Sequence, residues 1–290
     1  MPSNLARVNA WFGKAVHRSD LLHRLWPHTQ GHSFLKLVTL MAKAAAKSKK
    51  AARLRTKKPG RGPMATVRRW LWRLAFACVA LMLLPFALVL IYALPFINPP
   101  STLMLWQASQ GKTIERTWVP LEEISEPLRF SVITSEDAKF CAHWGVDFGE
   151  LKGQFEKAMA GEPTRGASTI PMQAVKNLYL WHGRSYVRKA IEMPLALWAD
   201  LIWSKRRMLE IYLNIVELGD GVFGVEQGGL KAFRRSAVNL SWAQSARLAT
   251  ALPAPLARNA GSPGRRHAVL AARVQSRAQK SGAYVQCVKG

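Results

Sequence analysis

Between Arg73 and Lys112 the chain carries no charged side chain, and within that gap residues 74–97 form an unbroken apolar run of 24 residues. As a helix rising about 1.5 Å per residue, the run spans roughly 36 Å, enough to cross a bilayer core with some tilt. A cleaved signal peptide has a shorter apolar region and a small-x-small cut site, which Tyr92-Ala93-Leu94-Pro95 does not supply. The run is therefore read as an uncleaved transmembrane anchor.

The flanks orient it. Arg68, Arg69 and Arg73 precede the run, and Asn98-Pro99-Pro100 and a charge-poor stretch follow. The positive-inside rule then puts residues 1–73 in the cytoplasm and residues 98–290 outside, with Trp70, Trp72 and Tyr92 as interface anchors. The chain's formal charge of +25 is mostly in this arm: residues 1–73 hold 17 Lys/Arg against Asp20 alone, leaving 25 Lys/Arg and 16 acids beyond it. The excess is thus no nucleic-acid footprint of the outer part, and no nucleic-acid motif is present. Met64 opens MATVRRWLWRLAF, a compact start for an anchored protein. Residues 1–63 are accordingly either a solvated basic tail lying on anionic lipid or sequence upstream of the true start.

Residues 98–290 read as one mainly α domain. Apolar periodicity predicts helices over 151–160, 170–180, 186–201, 205–216, 242–251 and 269–278, and a short strand near 117–121. Gly161-Glu162-Pro163, Gly219-Asp220-Gly221 and the stretch 253–264 mark loops. Cys141 and Cys287 both fall on the oxidising side, which allows one disulfide, although a buried small apolar role is the simpler reading of Cys141. Cys78 lies in the membrane run. No CxxC or Cys/His spacing suggests zinc.

Four strings carry the candidate chemistry. The first, running from Ser135 to Asp147, sets Glu136 and Asp137 among Phe140, Trp144 and Phe148. A carboxyl against apolar surface has a raised pKa and exchanges a proton near neutrality. The plainer reading is a helix start, with Ser135 as cap and both acids favoured by the helix dipole. The second string, from Gly166 to Leu178, is a small-residue turn with hydroxyls and a Pro-initiated helix, suited to an anion at a helix N-terminus or to ordinary capping. In the third, Arg184, Arg188 and Glu192 stand four apart on one helix face, as a diphosphate clamp or as a surface ion-pair ladder. In the fourth, 205–214, Met208, Ile211 and Tyr212 read as core.

In this order and beyond one membrane anchor, the strings resemble the family-51 glycosyltransferases, the peptidoglycan polymerases, in their monofunctional form. The resemblance runs from about residue 118 to 274. The family's ED-x-x-F-x-x-H-x-G-x-D is similar to Glu136–Asp147, its G-x-S-T-I-x-Q-Q-x-x-K-N to Gly166–Asn177, and its R-K-x-x-E to Arg188–Glu192. Its K-x-x-I-L-E-x-Y-L-N is similar to Lys205–Asn214, with Met208 for Ile, and its closing R-R-x-x-V-L to Arg265–Leu270. No transpeptidase Ser-x-x-Lys with a Lys-Thr-Gly follows, and the expectation is an enzyme without that domain.

The resemblance implies a lysozyme-like α fold with a membrane-facing jaw, working on lipid II and a growing polyprenyl-linked glycan in the bacterial inner membrane, with the catalytic domain periplasmic. Glu136 is implied as general base for an inverting β-1,4 transfer, with Lys176, Arg184 and Arg188 receiving the departing diphosphate. Glu192 is implied as the second carboxylate. Asp137, Ser168, Thr169, Gln173, Asn177 and Lys189 complete the implied substrate contacts. The sequence requires no cofactor, while the family resemblance allows a divalent cation, Mg or Mn. Other cell-wall synthesis proteins are allowed as partners.

Three departures stand out. Pro171 and Met172 replace the family's usual polar residue and first Gln; Pro194 falls where it can kink the helix after Glu192; and Ala243-Gln244-Ser245 lacks a usual acid. Two rival readings remain from the sequence. One is a lytic, lysozyme-like glycan hydrolase, which also uses one Glu but gives no reason for the cations. The other is a membrane scaffold or nucleic-acid binder built on the basic arm.

Overall fold

The computed structural model describes residues 63–163, 166–181, 183 and 185–289, with 39, 40 and 43 besides. Two compact units are distinguished, Met1–Arg73 and Leu74–Gly290. In the first, the Arg73 guanidinium lies 5.1 Å over the Trp70 ring.

Helix α1, Pro63–Tyr92, begins on a proline, which has no N–H to lose at a first position. Within Thr66–Tyr92 an 18-residue window has a mean hydropathy of 2.8 and is only 6% covered by protein, and the helix is long and apolar enough to cross a membrane. The helix stops at Tyr92, short of the expected residue 97. Pro95 cannot continue it, and Arg207 collects the freed carbonyls: Nε donates to Tyr92 O (3.0 Å), and Nη2 to Leu94 O (3.0 Å) and to Ile97 O. The Trp198 and Trp203 indoles donate to Phe86 O (3.1 Å) and Val89 O (2.7 Å), and the Tyr92 ring stacks on Tyr179 at 6.0 Å.

The helices that follow are α2 (Thr102–Ser109), α3 (Glu126–Glu136), α4 (Phe148–Met159), α5 (Ile170–Tyr179), α6 (Tyr186–Ile202) and α7 (Lys205–Ile215), then α8 (Gly224–Phe233), α9 (Trp242–Ala251) and α10 (Arg265–Ala278). Four predicted segments match within one to three residues at either end; 242–251 coincides with α9; and 269–278 starts four residues early, at Arg265. The starts follow local chemistry. Asp147, Thr169, Ser185, Ser204 and Ser241 each cap a helix with a side-chain oxygen. Helix α7 is the axis of the core, with Met208, Leu209, Ile211, Tyr212 and Leu213 fully buried. Helix α5 packs on α6 and α7, while α3 packs on α9 and α10.

A small sheet, ordered β1-β3-β2, closes one side. Strand β1 (Glu115–Arg116) runs parallel to β3 (Val222–Phe223), with Glu115 opposite Val222, and β2 (Glu217–Gly219) is antiparallel to β3. The strand expected at 117–121 is therefore displaced to 115–116. Asn214 takes both backbone groups of Val119, accepting from its N–H and donating to its carbonyl at 2.8 Å each, so this segment bonds a side chain in place of a strand.

The helix start expected at Ser135 is also corrected. Glu136 is the last residue of α3 and Asp137 its C-cap, so no helix starts at Ser135. Ser125, Glu126 and Pro127 stand at the start of α3 as start signals, but periodicity does not mark the helix because Val132, Ile133 and Thr134 are β-branched and Leu128 to Ile133 are all buried. Packing overrides propensity there. Helix α6 runs unbroken through Pro194.

Candidate active site

The site is assembled where the end of α3 meets the start of α5. Asp137 builds that junction. Its Oδ2 accepts the Ile170 N–H at 2.9 Å, and both its oxygens lie within 3.0 Å of His143 Nε2. Asp137 is buried and faces the protein; neither it nor Glu136 lines the cleft itself, and Glu136 reaches the cleft only through its bond to the lining residue Gln173. Thr169 is likewise turned to structure: it caps α5 at the Met172 N–H and donates to Gly145 O.

One turn into α5, Gln173 spans two partners. Its Nε2 donates to Glu136 Oε2 at 3.1 Å, and its Oε1 accepts from the Tyr212 hydroxyl at 3.0 Å. Ser135 Oγ lies 3.3 Å from Glu136 Oε1. Burial pushes the Glu136 carboxyl above the ordinary glutamate range, against the opposing pull of the Gln173 and Ser135 bonds and the charge of Arg258.

Beside this pair opens a cleft of about 460 Å³, whose lining includes Ser168, Gln173, Lys176, Arg188, Lys189 and Glu192. Its cations come from two helices. Lys176 stands a turn beyond Gln173, and among the described residues no hydrogen bond or ion pair is recorded for its ammonium. Burial lowers its pKa, Arg188 and Lys189 add to that, and Glu192 and Glu136 oppose it. Arg188 bonds Glu192 one turn on. Lys189 Nζ donates to Ser168 Oγ at 2.7 Å and lies 3.4 Å from Glu192 Oε2. Glu192 is 2% exposed, held between two cations, and the Arg188 Nε is buried without a bond. Three cations face one carboxylate, so the wall is net positive and suited to a doubly charged leaving group. Arg184 lies outside the described residues.

Asn177 is placed across the Gln173–Lys176 wall, in a second cavity of about 180 Å³ that also contains Glu217 and Leu252. Tyr212, Glu217 and Arg258 are the members that the sequence strings did not yield. Tyr212 carried a faint signal, a hydroxyl at a position otherwise fit for Phe. Glu217, pushed up by burial and bonded by Gln107 at 2.8 Å, carried none, since its place depends on α2 arriving from 110 residues away.

With this geometry in hand, the comparisons with known proteins are direct. The Transglycosylase family model matches residues 104–280. A protein of Rhizobium meliloti named biosynthetic peptidoglycan transglycosylase is 50% identical over 227 residues, 77% of this chain and 96% of that protein. Proteins of the same name from Agrobacterium fabrum and Brucella suis are 50% and 48% identical, over 74% and 76% of this chain and 96% and 100% of theirs. The chain belongs to the transglycosylase family.

Proposed function

We propose that this protein is a peptidoglycan transglycosylase that extends glycan strands from lipid II, with Glu136 as general base. The observation that carries the reading is the Glu136 carboxyl, whose pKa burial raises and whose position Gln173 fixes, next to a cleft whose walls supply Lys176, Arg188 and Lys189. Glu136 takes the proton from the acceptor's 4-hydroxyl as that oxygen attacks C1 of the donor sugar. The C1–O bond to the diphosphate breaks, the polyprenyl diphosphate leaves with the electron pair, and the configuration at C1 inverts. General-base assistance is worth on the order of 10²–10⁴ in rate.

The charge that develops on the diphosphate falls to the cations. Lys176, without a hydrogen bond or ion pair among the described residues, costs least to redirect toward a ligand. Arg188 and Lys189 are held in place by Glu192 and Ser168. The oxygens of Glu192 and Asp137 are already engaged by cations and N–H groups, and the described residues hold no cluster of three or more His, Cys, Asp or Glu. On this reading the diphosphate is met by the side chains of Lys176, Arg188 and Lys189.

Helix α1 serves as a single-pass anchor of the inner membrane, with the arm cytoplasmic and the catalytic domain periplasmic, a reading supported by the arginines before the apolar run. Phe155, which lines the cleft, is exposed together with Met159, Tyr186 and Val187. The exposed Phe155 ring at the cleft is an apolar contact suited to the substrate's polyprenyl end. The test is glycan-chain formation from labelled lipid II by wild type and Glu136→Gln, with purified sacculi in a parallel incubation. Polymer from wild type and at least a hundredfold less from the variant are expected. Full activity in the variant removes Glu136 as base, and muropeptides released from sacculi would make the protein a hydrolase.

A further inference from the structure

The last residues of the chain are fastened to the domain on both sides of Glu136. Cys287 is bonded to Cys141, five residues after Glu136, across 146 residues of sequence, with the Cα atoms 5.6 Å apart. The neighbouring Val288 carbonyl accepts from Arg129 Nη1 at 3.0 Å, seven residues before Glu136 on α3. Arg206 of α7 donates to Val288 O (3.3 Å) and Lys289 O (2.9 Å), while Val285 and Val288 are fully buried.

Each fastening bears on the base. Arg129 is buried and its Nε is unbonded, so the Val288 carbonyl is the one recorded acceptor of its guanidinium among the described residues. Without that carbonyl a buried charge on α3 loses its hydrogen bond. Cys141 sits in the turn between Asp137 and His143, which ties down the N-terminus of α5. A shift of this turn therefore moves both Glu136 and the helix bearing its partner Gln173.

We propose that the Cys141–Cys287 disulfide is a clasp that positions Glu136, so that the base becomes competent only once the chain has reached an oxidising compartment. The two thiols lose two protons and two electrons to the disulfide of a thiol-oxidising protein. That disulfide is reduced to two thiols as the Sγ–Sγ bond forms. The cations of the cleft stand on α5 and α6, to which the tail makes no hydrogen bond or ion pair among the described residues. The clasp therefore acts on turnover more than on substrate binding. This inference rests on the function proposed above and names a control on the same site.

The experiment uses the full chain in proteoliposomes, in a Cys78→Ser background that leaves only this thiol pair. Oxidised protein, phosphine-reduced protein and Cys287→Ser are compared for kcat and KM with lipid II and for melting temperature. Loss of about ten- to hundredfold in kcat is expected in both unclasped forms, with KM within about twofold and melting above the assay temperature. Glutathione disulfide restores kcat to the reduced protein and not to Cys287→Ser. Unchanged kcat, a KM that rises in step with the loss, or a reduced chain already melted at the assay temperature overturns the clasp; the last would make the bond a staple of the whole fold. Failure of the oxidised protein to polymerise lipid II instead overturns the functional reading itself.

Discussion

Gln173 donates its side-chain N–H to Glu136 across 3.1 Å while its carbonyl end accepts from the fully buried Tyr212 hydroxyl at 3.0 Å, so the carboxylate, an acceptor only, sets which way the amide faces. The orientation matters because the reverse amide would set two acceptors against each other.

Gln173→Ala removes a bond that lowers the Glu136 pKa and strands the Tyr212 hydroxyl. The expected results are an acid limb of the pH–rate profile moved to higher pH and a stability loss of about 1–3 kcal/mol. Adding Tyr212→Phe should cost less than it does alone, a coupling readable in a double-mutant cycle of denaturant midpoints.

The raised pKa of Glu136 means that the folded protein binds this proton more tightly than the unfolded chain does. The group's contribution to stability is then complete below the unfolded glutamate value of about 4.3 and is lost as pH rises through the higher folded value. Glu136→Gln should accordingly melt above wild type at neutral pH, with the gap closing as pH falls toward 4. Calorimetry across that range checks it. The same ionisation places the acid limb of wild-type kcat/KM above the ordinary glutamate range.

Lys176 is a substantially buried cation without a hydrogen bond or ion pair among the described residues. Lys176→Met is expected to lower kcat/KM by about 10²–10³, the scale of removing one preorganised charge from a developing anion. Folding stability should stay the same or rise, since burial of the charge is relieved. Thermal melts beside lipid II kinetics test both halves.

Gly145 has φ 71°, and a Cβ there would stand 2.5 Å from the Ala196 carbonyl oxygen, in backbone that has no side chain to swing aside. Its own carbonyl accepts from Thr169 at the start of α5. Gly145→Ala should cost at least about 1–3 kcal/mol in chemical denaturation and reduce activity with it.

Much of this protein was legible in the order of its residues. The uncharged apolar run marked a helix long and apolar enough to span a membrane, and hydroxyl and acid caps marked most later helix starts. The strings around Glu136, Gln173, Lys176 and Arg188 carried the site, because each element needs only residues within about one turn of one another. Helix α3 was missed for the converse reason: its β-branched residues are helical because neighbours bury them from several sides.

What the sequence determined alone was therefore local: the anchor, the amphipathic helices, and which acids and bases lie on which segment. Tertiary structure decided which way each of the adjacent acids faces. Glu136 is turned toward Gln173, 37 positions away, while Asp137 is spent on the N-terminus of α5. It also decided that Tyr212 would serve the site from within the core, and that Cys287 would close on Cys141. These pairings rest on loop closures spanning tens of residues. Their geometry is fixed by how whole helices pack, which no window of neighbouring residues encodes.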